Sequence, residues 1–193
     1  MSAIRLLVLG AVRRHGRAHG YQVRNDLEFW GADEWSNTKP GSIYHALKQM
    51  ARQGLLHAYD VAPSTAGGPP RTEYEVTEAG TAEYFALLRA ALTTHDQLDL
   101  LSAGLGFMAD LSRAEVVALL RRRLANLRGW RETVTGSTEG QELGHIGEIM
   151  RLWVHSAQSG AEWTAGLIER IEGGAYAFAG EDGDPFAGVL AAE

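Results

Sequence analysis

A mainly α chain in two parts is what this sequence predicts, with three short helices and a β-hairpin first and a pair of long helices after them. Apolar residues recur at helical spacing in three short N-terminal windows. Two β-rich runs, "LLHAYDVA" and "RTEYEVT", flank the turn-forming "PSTAGGPP". Beyond residue 116 an apolar repeat of threes and fours persists over many turns, as helices that pack along their whole length require.

Ile4, Leu7, Val8 and Ala11 set the first helix, and Gly16 stops it behind Arg13 and Arg14, cations that suit a helix C-terminus. A second helix runs from about Gly20 to Phe29, with Tyr21, Val23 and Leu27 available to a core. "WGADEWSNTKPG" reads as loop, and Pro40 fits the first turn of a third helix. There Ile43, Ala46, Leu47 and Met50 form one stripe, which leaves Ser42, His45, Lys48, Gln49 and Arg52 facing away until Gly54 ends the helix. The hairpin follows at once, and Thr77 is placed to cap the helix of "EAGTAEYFALLRAAL". Helix, helix, helix, hairpin is the order of a winged helix-turn-helix, expected here over residues 1–92.

The second part changes character. Val117, Leu120, Leu124, Leu127 and Val134 follow a heptad broken only by Arg131, in a helix of roughly 24 residues and about 36 Å. Gly136 to Gly140 is expected to turn the chain. Ile146, Met150, Trp153, Ala157, Gly160, Thr164, Leu167 and Ile171 then alternate spacings of four and three. So one-sided a seam has to meet the preceding helix or a second copy of the chain. Residues 93–174 therefore read as a helical dimerisation domain, its interface drawn from Val117, Leu120, Leu124, Leu127, Ile146, Met150, Trp153, Leu167 and Ile171. Gly173 and Gly174 end it, and the Gly/Ala-rich, acidic residues 175–193 read as a mobile tail.

The 193 residues are 45% hydrophobic and carry a formal charge of −6, an ordinary globular balance. Without cysteine there is no disulfide frame, thiolate metal site or thiol switch. Arg5 interrupts the short N-terminal apolar run, which excludes a signal peptide, and no run approaches the roughly 20 residues of a membrane span. The expectation is a cytoplasmic protein with no membrane contact. Charge is unevenly placed: residues 1–90 sum to +1 and residues 91–193 to −7. Residues 1–25 hold five arginines and no acid, and Trp35 to Tyr59 holds Lys39, Lys48 and Arg52 and again no acid.

A helix that is apolar inside and offers Ser, His, Lys, Gln and Arg outside suits a polyanion that displays base edges. The DNA major groove admits one α-helix, phosphates supply affinity, and Gln, Lys and Arg discriminate bases. A solvated helix face is the competing reading; against it stand the hairpin that follows directly, the arginine that closes its tip, Arg71, and the lack of any acid along the helix. The residues also resemble a known family. "HGYQV" (19–23), "KPGSIYHAL" (39–47), "QGLL" (53–56) and "RTEYEVTEAG" (71–80) look like the PadR family of bacterial winged-helix regulators, and the heptad-rich remainder is similar to its longer subgroup. That resemblance implies a C-terminal domain that dimerises by exchanging helices. It implies that Tyr44 approaches DNA with Ser42 beside it, that Arg71 closes the wing, and that Tyr74 packs inward. The proposed duplex contacts are Lys39, Ser42, Tyr44, His45, Lys48, Gln49, Arg52 and Arg71. Asp33 and Glu34 just ahead of the helix and the sparsely basic wing tip lead us to expect modest, strongly salt-dependent affinity.

These readings make the protein a homodimeric repressor that binds an inverted repeat in double-stranded DNA. Trp130, Trp153 and Trp163 beside small residues offer indole faces to a small aromatic or cationic inducer, with core filling as the plainer role. No cofactor is expected. His145 and Glu148 lie one turn apart behind Glu142, yet a metal needs further ligands and His155 lies about three turns on. There is no Ser-His-Asp signature, phosphate loop or dinucleotide fingerprint, so enzyme function is not expected. The alternative is an adaptor whose long helices bind another protein.

Overall fold

The computed structural model describes residues 3–36, 38–61, 71–138 and 143–183. Two compact units divide the chain: Met1–Ala91 with Ser102–Gly104, and Leu92–Leu101 with Leu105–Glu193. The first unit holds α1 (Ala3–His15), β1 (Arg17–His19), α2 (Gly20–Phe29), α3 (Ala32–Trp35), α4 (Pro40–Arg52), β2 (Leu56–Val61), β3 (Arg71–Val76) and most of α5 (Glu78–Thr93). α1 is its centre, with Leu6, Leu7, Val8, Leu9, Ala11 and Val12 all buried, and it meets α2, α4 and β3. Val23 and Leu27 from α2, and Ile43, Leu47 and Met50 from α4, complete that core. Tyr74 on β3 is buried as the resemblance implies, and burial pushes its phenol above the ordinary value.

The first three departures from the sequence reading concern the wing, the loop ahead of α4, and Gly136. The wing is a three-stranded antiparallel sheet in the order β1-β3-β2, because Arg17–His19 pairs with Glu75–Glu73. So short a strand between Gly16 and Gly20 has no pattern of its own; its partner lies more than fifty residues on. The expected loop at "WGADEW" contains α3, a single turn that starts from left-handed Gly31 and has Asp33 and Glu34 at its positive end. The third difference, at Gly136, is in the second unit.

In that unit α6 (Leu98–Phe107), which the sequence did not mark, precedes α7 (Arg113–Thr138) and α8 (Ile146–Glu172). α7 continues through Gly136 rather than ending there. Thr133 and Thr135 each donate a hydroxyl to the carbonyl four residues back, Ser137 donates to Val134, and buried Val134 anchors the last turns. The packed stripe of α7 is also rotated slightly from the heptad read in the sequence. Val116, Leu120, Arg123, Leu127 and Val134 are buried, whereas Leu124 is only half-buried. Against them lie Ala157, Thr164, Leu167, Ile168 and Ile171 of α8, and Gly160 admits the Leu127 side chain. Ile146, Ile149, Leu152 and Trp153, at the other end of α8, stay exposed.

Residues 175–183 do not trail away as the mobile tail would. Phe178 is buried with the Arg113 guanidinium 4.8 Å from its ring centre, and Arg113 donates to the carbonyls of Ile171, Ala175 and Tyr176 and to both carboxylate oxygens of Glu181. The Ala179 amide donates back to the carbonyls of Ala109 and Leu111. One arginine collects five acceptors here, and a buried aromatic ring fixes it.

Candidate nucleic-acid interface

α4 is positioned from both ends. Pro40 opens it, and Ser42 reaches back: its hydroxyl accepts from the Lys39 amide (3.0 Å) and donates to the Lys39 carbonyl (2.6 Å). Ser42, expected at the duplex, is thus engaged in holding the first turn of its own helix. Gly54, left-handed at φ +73, ends the helix as expected. The next connection is locked to α5. Thr77 donates its hydroxyl to the carbonyls of Gly54 (2.7 Å) and Leu55 (3.1 Å), accepts from the Gly80 amide, and gives its own amide to Leu55. Gly80 has to be glycine there, since a Cβ would sit 2.0 Å from the Leu55 carbonyl oxygen.

The exposed face that results matches the expectation closely. Tyr44, His45, Lys48, Gln49 and Arg52 are all exposed, as is Lys39 ahead of them. At about 100° per residue they run Tyr44, Lys48, Arg52, His45, Gln49 across roughly 140° of the helix, opposite the buried stripe. Among the described residues Lys39, Lys48 and Arg52 form no ion pair. Tyr44 stands at the α2 edge, its ring pressed so close to Gly20 that a Cβ there would lie 2.5 Å from the ring carbon Cε1. Gly20 opens α2, and His19 caps it: His19 Nδ1 accepts from the Gln22 amide (3.1 Å) while the Gln22 side-chain oxygen accepts from the His19 amide (3.0 Å). "HGYQ" is therefore a reciprocal cap plus a seat for Tyr44. The x-x-Gln spacing after a capping residue was the signal available for it.

The arginines of residues 1–25 contribute less than their count suggests. Arg5 pairs with Glu83 and Gln53, Arg13 lies over Tyr84 and Phe85, Arg14 over Trp30, and Arg24 pairs with Glu28. Arg17 lies 3.9 Å from the Tyr59 ring centre and donates to Glu75, which also accepts from the Tyr59 hydroxyl (2.8 Å). The Tyr59 bond, then the Arg17 bond, hold the Glu75 carboxyl below its usual range, and donation to Glu75 raises the Tyr59 phenol. This cluster ties all three strands of the wing together. The Arg71 side chain lies outside the described residues.

The C-terminal candidates separate. Trp130 and Trp153 face each other at 6.1 Å over a cleft of about 380 Å³ that His95, Asp96 and Ser156 also line, whereas Trp163 stands elsewhere on α8. Val117, Leu120, Leu127, Leu167 and Ile171 are already buried within the chain; Leu124 and Met150 are half-buried, and Ile146 and Trp153 are exposed. Glu148 is paired with Arg151, and Glu142 lies outside the described residues. Among the described residues no three His, Asp or Glu side chains form a group that could hold a metal, and no helix is long and apolar enough to cross a membrane.

Three packed helices, the last with a cationic outer face, and an antiparallel sheet directly behind it define a winged helix-turn-helix protein. Residues 8–86 match the family described as "Transcriptional regulator PadR-like family". Residues 8–86 thus form a PadR-like domain, similar to that family of transcriptional regulators. The chain is similar to Bacillus subtilis PadR, solved in complex with operator DNA, at 18% identity and TM-score 0.39 over 86% of this chain and 98% of that one. It is similar to smu.1604c from Streptococcus mutans UA159 (19%, TM-score 0.43, 90% and 98%) and to the PadR-like regulator BC1756 from Bacillus cereus (16%, TM-score 0.39, 88% and 98%). No curated protein matches the sequence at a significant level.

Proposed function

We propose that the protein is a homodimeric, sequence-specific DNA-binding repressor, with α4 as the helix that enters the major groove. One observation carries the reading. The outer face of α4 presents Tyr44, His45, Lys48, Gln49 and Arg52 with no acid among them and no carboxylate drawn onto its cations. A two-fold dimer would set two such helices about 34 Å apart, in successive major grooves of an inverted repeat. The exposed row Ile146, Ile149, Leu152 and Trp153 supports dimerisation through α8, and a dimer that covers a promoter blocks polymerase by occupancy. The Trp130–Trp153 cleft is the place for a small aromatic or cationic inducer. The same apolar row also favours an adaptor that binds another protein through α8; light scattering separates the two, since a partner-free monomer supports the adaptor. The decisive experiment compares binding to the protein's own promoter with binding to random duplex at about 0.15 M salt. A clear preference is expected, and equal affinity for both overturns the reading.

A further inference from the structure

We propose that the duplex-binding surface extends from α4 onto α2 through Tyr21 and Arg24, and that Glu28 restrains it by holding Arg24 until a phosphate replaces the carboxylate. The inference rests on the reading of α4 as the DNA-binding helix. Tyr44 marks the edge of the α4 face, and its ring lies against Gly20, the first residue of α2. From Gly20 the exposed side of α2 continues without a gap through Tyr21, 59% exposed, to Arg24 and Glu28, one turn apart each. The Arg24 guanidinium lies close enough to Tyr21 and Tyr44 to feel both phenols. Aromatic and cationic groups therefore continue the α4 surface onto the first helix of the helix-turn-helix, the one that crosses the phosphate backbone in such proteins.

Among the five arginines of residues 1–25, Arg24 is distinctive in the kind of partner it has. Arg5 and Arg17 reach carboxylates far away in sequence, so their pairs tie elements together, and Arg13 and Arg14 lie over aromatic rings. Arg24 pairs with Glu28 at 2.6 Å within one helix, and both side chains are partly exposed, at 38% and 44%. Such i,i+4 surface pairs are weak, and this one has the less favourable order, the cation nearer the N-terminus and the acid nearer the C-terminus. Exchange of Glu28 for a phosphate leaves the fold intact. Glu28 then acts as a local competitor that lowers affinity for any duplex.

Anisotropy of the full chain on a labelled random-sequence duplex, titrated with salt, tests this. Arg24→Ala should weaken binding and reduce the salt slope by about one per subunit. Glu28→Gln should tighten binding roughly fivefold, and Arg24→Ala with Glu28→Gln should behave as Arg24→Ala alone. Glu169→Gln, which removes one exposed charge from α8, controls for net charge and should change little. Arg24→Lys should keep most of the slope. If Arg24→Ala leaves the slope unchanged, if the Glu28→Gln gain survives in the double variant, or if Glu169→Gln gives an equal gain, the proposal is overturned while the function reading stands. Failure of the unmodified protein to bind any duplex overturns both.

Discussion

Two glycine-to-alanine changes, at Gly80 and Gly20, should have opposite consequences, because the atoms they would strike differ in freedom to move. In Gly80→Ala the new Cβ meets the Leu55 carbonyl oxygen at 2.0 Å and the Val76 Cγ1 at 2.9 Å. The carbonyl cannot retreat without releasing the Thr77 amide and hydroxyl, each such bond worth about 1 kcal/mol net. With those two bonds lost, overpacking at about 1–3 kcal/mol and a helix-propensity return of about 1 make the expected loss about 2–4 kcal/mol. In Gly20→Ala the nearest atoms belong to the edge of Tyr44, a ring 40% exposed and able to swing outward. Moving it off its rotamer costs about 0.5–1.5 kcal/mol, which the propensity gain nearly offsets. Stability should then stay within about 0.5 kcal/mol while duplex affinity falls, since Tyr44 has left its seat. Urea denaturation followed by circular dichroism gives the first quantity and anisotropy the second. Equal destabilisation by the two changes would refute the reasoning, as would a Gly20→Ala protein that binds DNA unchanged.

Lys48→Ala should lower the salt slope of duplex binding by about one per subunit and leave the melting temperature alone, because Lys48 lies at the centre of the exposed α4 face. Arg123 is buried, its Nε donates to the Thr164 hydroxyl, and desolvation pulls its guanidinium below the ordinary value. Arg123→Met should therefore be neutral or stabilising by up to about 4 kcal/mol in thermal denaturation, and a loss of several kcal/mol would show that the charge is well compensated. Glu181 is held below the usual carboxylate range, first by its hydrogen bond from Arg113. A depressed carboxylate stabilises above its unfolded pKa and loses that stabilisation as pH falls through the folded one. Protection of the Ala179 amide, its exchange rate taken relative to the intrinsic rate at each pH, should accordingly fall in acid, below the ordinary carboxylate range, and Glu181→Gln should remove that dependence and lower protection at neutral pH.

The order of the elements and the outer face of α4 were legible because both are local. A 3.6-residue period names the buried stripe, and what it leaves over names the exposed one. Gly16 and Gly54 likewise act within a few residues of themselves, as does Thr77 where it accepts from the Gly80 amide. What was hidden depends on distant chain. Arg17–His19 becomes a strand only because β3 offers it an edge; Ser42 is a local exception, a duplex candidate until Lys39, three residues away, is seen to occupy its hydroxyl. In α7 the sequence favoured Leu124 over Arg123, since no periodicity argument places a charge on a seam. Gly160 on α8 makes room for that guanidinium, and the Thr164 hydroxyl accepts from it.

The same distinction governs the charge. Counting cations makes residues 1–25 the most basic part of the chain, yet every arginine there has a partner, and most of those partners are aromatic rings or carboxylates from other elements. Among the described residues Lys48 and Arg52 of α4, with Lys39 ahead of them, are left without an ion pair, so the potential a duplex would meet depends on what the fold leaves unpaired rather than on how many arginines residues 1–25 contain. The long helices follow the same logic with apolar surface. α7 covers α8 from Ala157 to Ile171 and leaves Ile146, Ile149, Leu152 and Trp153 in water, and uncovered surface of that kind is costly unless something covers it. A second copy laid along that row would remove it from water and would carry a second α4 with it, so the proposed dimer and its proposed two-fold site would share one cause.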